Sequence, residues 1–236
     1  MPEKIIKSSD RVKNHGEVFT PKRIVDLMLN QPEIQAKIND LTATFLEPSA
    51  GEGAFLVELL RRKLKVAKDQ SNSIRAFNEN SLIALSTLYG IELLADNAEM
   101  LVMNMIMTFN EFYANICENV YDTKPNKHIV DSAKVIIQAN MVQGDTLKQI
   151  RPDGSPIIFS EWKVVPGNPK KVQRTEYTFE AIINESGPTN SVENYAEEID
   201  LFADSGEFDD AEQASDEPVK QYKLVKWMDI YKQLVE

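Results

Sequence analysis

Apolar positions along this chain switch repeatedly between helical and strand-like spacing, and the alternation predicts an α/β fold. The first helical stretch is Lys22 to Leu29, marked by Ile24, Val25, Leu27, Met28 and Leu29, with Thr20 as N-cap and Pro21 at the first helical position. A short strand, Thr44 to Leu46, and a helix, Leu56 to Val66, come next. After a polar stretch, Lys68 to Asn80, an apolar run ends in a strand at Leu88-Tyr89-Gly90-Ile91-Glu92-Leu93, with an extra loop or helix in between. Leu94 to Phe112 reads as a helix whose Met100, Met103, Met105 and Met107 pack in the core. A strand from Ile136 closes on Gly144-Asp145. Two further strands, Ile157 to Val165 and Lys171 to Phe179, flank a hairpin tip at Gly167-Asn168-Pro169-Lys170. Phe179 to Ile183 is expected to be one more strand. Near the end, Val225, Met228, Ile230, Tyr231 and Leu234 predict a short strand and a terminal helix, which packs on this chain or on a partner.

Charge changes the picture in one place. The formal net charge is −11, yet Glu185 to Glu217 holds twelve acidic residues and no lysine or arginine, leaving 26 basic and 25 acidic side chains elsewhere. The body is therefore near neutral, and the acidity belongs to one segment with the composition of a solvated linker. A DNA-mimicking or autoinhibitory arm is the other reading of it, and its apolar island Ile199-Asp200-Leu201-Phe202 is placed to dock on a partner. Three parts follow: residues 1–184 as the main domain, 185–218 as acidic linker, and 219–236 as a terminal strand and helix. No stretch approaches the roughly eighteen apolar residues of a membrane span, and a cytoplasmic protein is expected. The single cysteine, Cys117, reads as a buried inert thiol. With two histidines, His15 and His128, no metal site is expected.

The most specific chemistry lies at Glu47-Pro48-Ser49-Ala50-Gly51-Glu52-Gly53-Ala54-Phe55. A strand that stops under a glycine turn and restarts as a helix presents backbone N–H groups around a crevice, and glycine permits both the sharp turn and a close ligand. Farther on, Glu92 ends a strand with a carboxylate, which accepts from both hydroxyls of a ribose at once. Asp145, after Gly144, is a second acceptor at the end of another strand.

The string from Glu47 to Phe55 resembles the cofactor motif of S-adenosylmethionine (SAM)-dependent methyltransferases, in the form carried by N6-adenine DNA methyltransferases of restriction–modification systems. Phe19-Thr20-Pro21 is similar to the extra N-terminal motif of the gamma-ordered members, which closes over the methionine end of SAM. The resemblance implies a Rossmann-like domain in which Phe19, Thr20, Pro21, Glu47, Pro48, Ala50, Gly51, Gly53, Phe55, Glu92 and Asp145 hold SAM, Asp145 taking the adenine amino group. DNA is the implied substrate.

The match then breaks. The family accepts the hydrogens of the target amino group on an Asn/Asp-Pro-Pro-aromatic motif after the fourth strand, with the aromatic ring stacking on a flipped base. Here Asn168-Pro169-Lys170 has no aromatic, and Phe179 to Ile183 leads into Asn184-Glu185-Ser186-Gly187 without the prolines or ring. Asn184 is the candidate catalytic acceptor, and the sheet is expected to stop after its fourth strand. Lys163, Lys170, Lys171 and Arg174 are the candidate phosphate contacts. Two readings stay open: a DNA adenine methyltransferase, completed by a partner subunit or a dimer mate, or an inactive companion, regulatory subunit or decoy that keeps the cofactor fold. Action on protein or a small molecule is disfavoured by Phe19-Thr20-Pro21.

Overall fold

The structure, a computed structural model, describes residues 7–15, 18–189 and 221–235. Gly16, Glu17, the Ile199–Phe202 island and most of the acidic segment lie outside the described residues. Three strands form a parallel sheet in the order β1 (Phe45–Glu47), β2 (Leu88–Glu92), β3 (Met141–Gln143), with Phe45 opposite Leu88 and Gly90 opposite Met141. Helices α4 (Ala54–Asp69) and α5 (Ile74–Ser86) connect β1 to β2, and α6 (Ala95–Asn119) and α7 (Lys127–Asn140) connect β2 to β3. They pack over one face of the sheet through Leu56, Leu60, Leu64, Phe77, Leu85, Leu101, Met105, Phe109 and Ile136. Before them come α1 (Ser9–His15), α2 (Lys22–Leu29) and α3 (Pro32–Asn39).

The other face is covered only in part. A hairpin of β4 (Ile158–Val165) and β5 (Asn168–Thr178) joins β6 (Val225–Lys226) in an antiparallel sheet. Its root, Ile157 and Phe159, packs with Phe179 against Ile91, Val142 and Tyr89. The terminal segment closes back on the body: the 3-10 helix Trp227–Lys232 lies against α7, with Trp227 and Ile230 buried and the Tyr231 amide donating to Ser132 Oγ at 3.2 Å.

Several expectations need correction. The polar stretch conceals the start of α5, which Ser73 caps by accepting from the Ala76 amide. Residues Ile136 to Asn140 are helical, because Ile129, Ala133, Ile136, Ile137 and Asn140 recur at helical spacing on the buried face of α7; the strand is only Met141–Gln143. Phe179–Ile183 is a short helix, α8, capped by Thr178 Oγ1 accepting from the Ala181 amide, so no fourth parallel strand occurs among the described residues. Pro21, not Thr20, is the N-cap of α2, and its carbonyl accepts from Ile24 and Val25. Of the α6 methionines only Met105 is fully buried, while Met103 and Met107 are exposed. Cys117 is buried as expected. No helix among the described residues is long and apolar enough to cross a membrane.

Candidate functional site

Where β1 ends, the chain turns through two left-handed glycines, Gly51 at φ +55° and Gly53 at φ +88°. Their reasons differ. A Cβ on Gly53 would meet Leu101 Cδ1 at 2.6 Å, so this glycine lets α6 approach the turn, whereas a Cβ on Gly51 would enter open space. The loop is cross-tied to its neighbours. Glu92 Oε2 accepts from the Gly51 amide at 2.8 Å, and Oε1 accepts from the Leu94 amide at 3.0 Å. Asn104 Nδ2 donates to the Glu52 carbonyl at 2.9 Å. Thr146 Oγ1 donates to the Pro48 carbonyl at 2.6 Å, and the Gly144 amide donates to the Glu92 carbonyl at 2.9 Å. The loops after β1, β2 and β3 therefore converge on the carboxyl edge of the parallel sheet, which is where open α/β sheets hold their ligands.

A cavity of about 640 Å3 opens there. Phe19, Thr20, Pro21, Glu47, Ala50, Gly51, Gly53 and Phe55 line it, so eight of the eleven expected cofactor residues meet at one cavity. Pro48, Glu92 and Asp145 do not line it. Glu92 is buried behind the turn, and a carboxylate that holds two backbone amides keeps lone pairs for further donors. Asp145 Oδ1 accepts from the amides of Leu147 and Lys148, and its Oδ2 pairs with Lys148 Nζ at 3.3 Å. The Lys148 amide foremost holds the Asp145 carboxyl below the usual range.

Glu47 is the unusual wall residue. Its Oε2 is buried with no hydrogen-bond partner. Burial, with the Glu92 carboxylate as the lesser cause, pushes its carboxyl up to about 8. Such a group is protonated near neutrality and waits for a donor or a cation.

The rim holds residues the sequence did not single out. Lys7 lines the cavity, pairs with Glu52 at 2.7 Å and Asp96 at 3.1 Å, and donates to Asn97 Oδ1 at 2.6 Å. Arg11 of α1 grips both oxygens of Asp96 at 3.0 Å, and the hydrogen bonds from Arg11 and Lys7 bring the Asp96 carboxyl down to about 2. The contacts to Asp96 and Asn97 span more than eighty residues, and no local pattern announces them.

The remaining candidates lie apart. Asn184 is the exposed C-cap of α8. Arg174 leaves the phosphate-contact set: it is 7% exposed, Nε donates to Ser160 Oγ at 2.9 Å, Nη2 pairs with Glu176 at 3.1 Å, and Tyr222 and Trp162 stack on it. The strand period explains the correction, since Val172, Arg174 and Glu176 all point inward. Lys163 and Lys170 are exposed, and Lys171 stands opposite Lys226. The hairpin starts beside Gly144 and passes Asn140, at the amino end of β3, by Ser160, so these lysines lie at the end away from the cavity.

Among the described residues, no group of three or more potential metal ligands occurs. Comparison with curated proteins and with solved structures returned no match. A family model described as N-6 DNA Methylase matches residues 3–154, which spans the rim, the glycine turn, the three parallel strands and the Gly144-Asp145 loop. With that match across well over half its length, the chain belongs to the N-6 DNA methylase family.

Proposed function

We propose that this protein binds SAM in the cavity at the end of β1 and serves methylation of the adenine amino group in DNA, within a modification system of the restriction–modification type. The observation that carries this reading is the glycine turn beside a cavity that eight of the eleven expected residues line, with space above Gly51 and with Glu47, one of whose oxygens is buried without a partner, among the lining residues. The residues fit the cofactor's polar groups. Glu47 suits its ammonium, the turn's backbone suits its carboxylate, Glu92 suits the ribose hydroxyls and Asp145 the adenine amino group. Phe19, Thr20 and Pro21 would close over its methionine end. When bound, SAM supplies a methyl group on a sulfonium; the protein contributes orientation and exclusion of water.

Asn184 is the candidate acceptor of the target amino hydrogens. Its exposed position on α8, away from the cavity wall, favours a second reading, in which this chain holds cofactor for, or regulates, a modification system whose base-clamping loop comes from elsewhere. Residues 1–184 are proposed as the cofactor domain, with 185–218 as linker and 219–236 as the terminal element. Calorimetric titration of SAM tests the reading: saturable binding is expected, weakened at least tenfold by Gly51→Val and by Asp145→Ala. No heat of binding to folded protein would overturn it. Methyl transfer to duplex DNA, with and without a partner subunit, then separates enzyme from companion.

A further inference from the structure

Both oxygens of Glu92 are held where β2 ends. Oε2 accepts from the Gly51 amide, while Oε1 accepts from the Leu94 amide and from Asn97 Nδ2 at 3.4 Å. Two donors thus occupy the lone pairs of Oε1, whereas Oε2 has one donor and room for another. Asn97 stands in the first turn of α6 and is only 1% exposed. A carboxamide has a donating end and an accepting end, and the end that faces a carboxylate decides whether the contact attracts or repels.

The amino-terminal segment settles which end that is. Asn97 Oδ1 accepts from Lys7 Nζ at 2.6 Å and from Arg11 Nη2 at 3.5 Å, so the NH2 end faces Glu92. Turning the amide over would set its NH2 group against two cations and its oxygen against the carboxylate. Lys7 and Arg11 are themselves fixed by Asp96, and Lys7 also by Glu52, which stands between the two glycines of the turn.

We infer that Asn97 is a positioning residue for ribose recognition: its amide, oriented by Lys7 and Arg11, holds Glu92 so that Oε2 stays open to a ribose hydroxyl beside the Gly51 amide. The inference rests on the cofactor reading proposed above. It makes the amino-terminal segment a contributor to ribose recognition through two buried side chains, in a network whose members orient one another.

The test titrates SAM, and its analogue lacking both ribose hydroxyls, into the full chain, into Asn97→Leu and into Lys7→Met/Arg11→Met. Exchange of the Gly51 amide is followed by NMR in the same proteins without ligand. The wild type is expected to prefer SAM by ~10-fold or more, the worth of a hydrogen bond to a charged group. Asn97→Leu should lose most of that preference by weakening SAM while the analogue binds as before. The double variant keeps Asn97 but releases its amide to turn, and should lose a smaller part. Gly51 exchange should quicken in both. A wild type without the preference, equal weakening of both ligands, or a preference that survives in the variants overturns the inference and leaves Asn97 a packing residue. Where Asn97→Leu does not fold, the double variant decides alone, its two cations being partly exposed. Binding of neither ligand to the folded wild type overturns the cofactor reading; Gly51 exchange then judges the hold of Asn97 on Glu92, which faster exchange upholds and unchanged exchange overturns.

Discussion

Glu47, at the end of the parallel sheet, and Glu176, inside the antiparallel one, each place a carboxylate oxygen out of reach of water, and their surroundings are opposite. Glu176 has Arg174 Nη2 on Oε1 at 3.1 Å and the Tyr222 hydroxyl on the same oxygen at 3.1 Å. Glu47 has Glu92 as its charged neighbour and an oxygen with no partner. An unpartnered buried carboxylate is costly to ionise, so Glu47 keeps its proton up to about pH 8. Glu176 belongs to the architecture of the antiparallel sheet, whereas Glu47 lines the cavity at the end of β1.

The largest expected effect breaks the structural member. Arg174→Met strips Glu176 of its cation and should cost about 3–5 kcal/mol in denaturant unfolding, whereas the double replacement Arg174→Met/Glu176→Met should recover much of it. Glu47→Gln should act in the opposite direction. Because the folded carboxyl titrates near 8, above its ordinary 4.5, the folded state holds the proton more tightly and stability falls as pH rises from about 4.5 to 8. The amide should flatten that slope and stabilise the protein at pH 8 by a few kcal/mol. It should also weaken SAM, and wild-type titrations in buffers of different ionisation enthalpy at pH 7 should show proton release that the variant lacks.

A smaller contrast separates the two glycines. Gly53→Ala combines a strained φ with the Leu101 clash and should destabilise by about 1–3 kcal/mol. Gly51→Ala pays for the left-handed backbone alone, about 1 kcal/mol, while losing SAM affinity because its methyl enters the cavity. Smallest is Asp96→Asn at the rim, below about 1 kcal/mol. The Asp96 carboxyl is held near 2, so its contribution is full above the ordinary value near 3.8 and disappears as pH falls towards 2. Thermal unfolding between pH 2 and 6 measures it.

The glycine turn was legible because its signal is local: Gly51 and Gly53 have to stand where the backbone enters the left-handed region. Strand β1, helices α2, α4 and α6, and the hairpin tip at Gly167 were legible from spacing and punctuation. Other elements misled for definite reasons. Val135-Ile136-Ile137 is β-branched and looks like strand, but four-residue spacing across the whole of α7 decides its burial. Thr178 capping Ala181 turned an apolar pentapeptide into a helix. Arg174 looked like a surface cation beside two lysines, and only its pairing with Ser160 and Glu176 shows that it faces inward. Lys7 and Asp96 meet only because the fold brings the amino-terminal segment across the rim.

The terminal segment returns to the body beside the place from which the acidic stretch departs. Thr189 bonds through its amide to the Glu176 carbonyl on β5, and Tyr222 reaches the Glu176 carboxylate of the same residue. Residues 190–220 thus begin and end at one anchorage. The antiparallel sheet therefore holds both described stretches of chain that flank those residues, and Glu176 ties the two together through its backbone and its side chain.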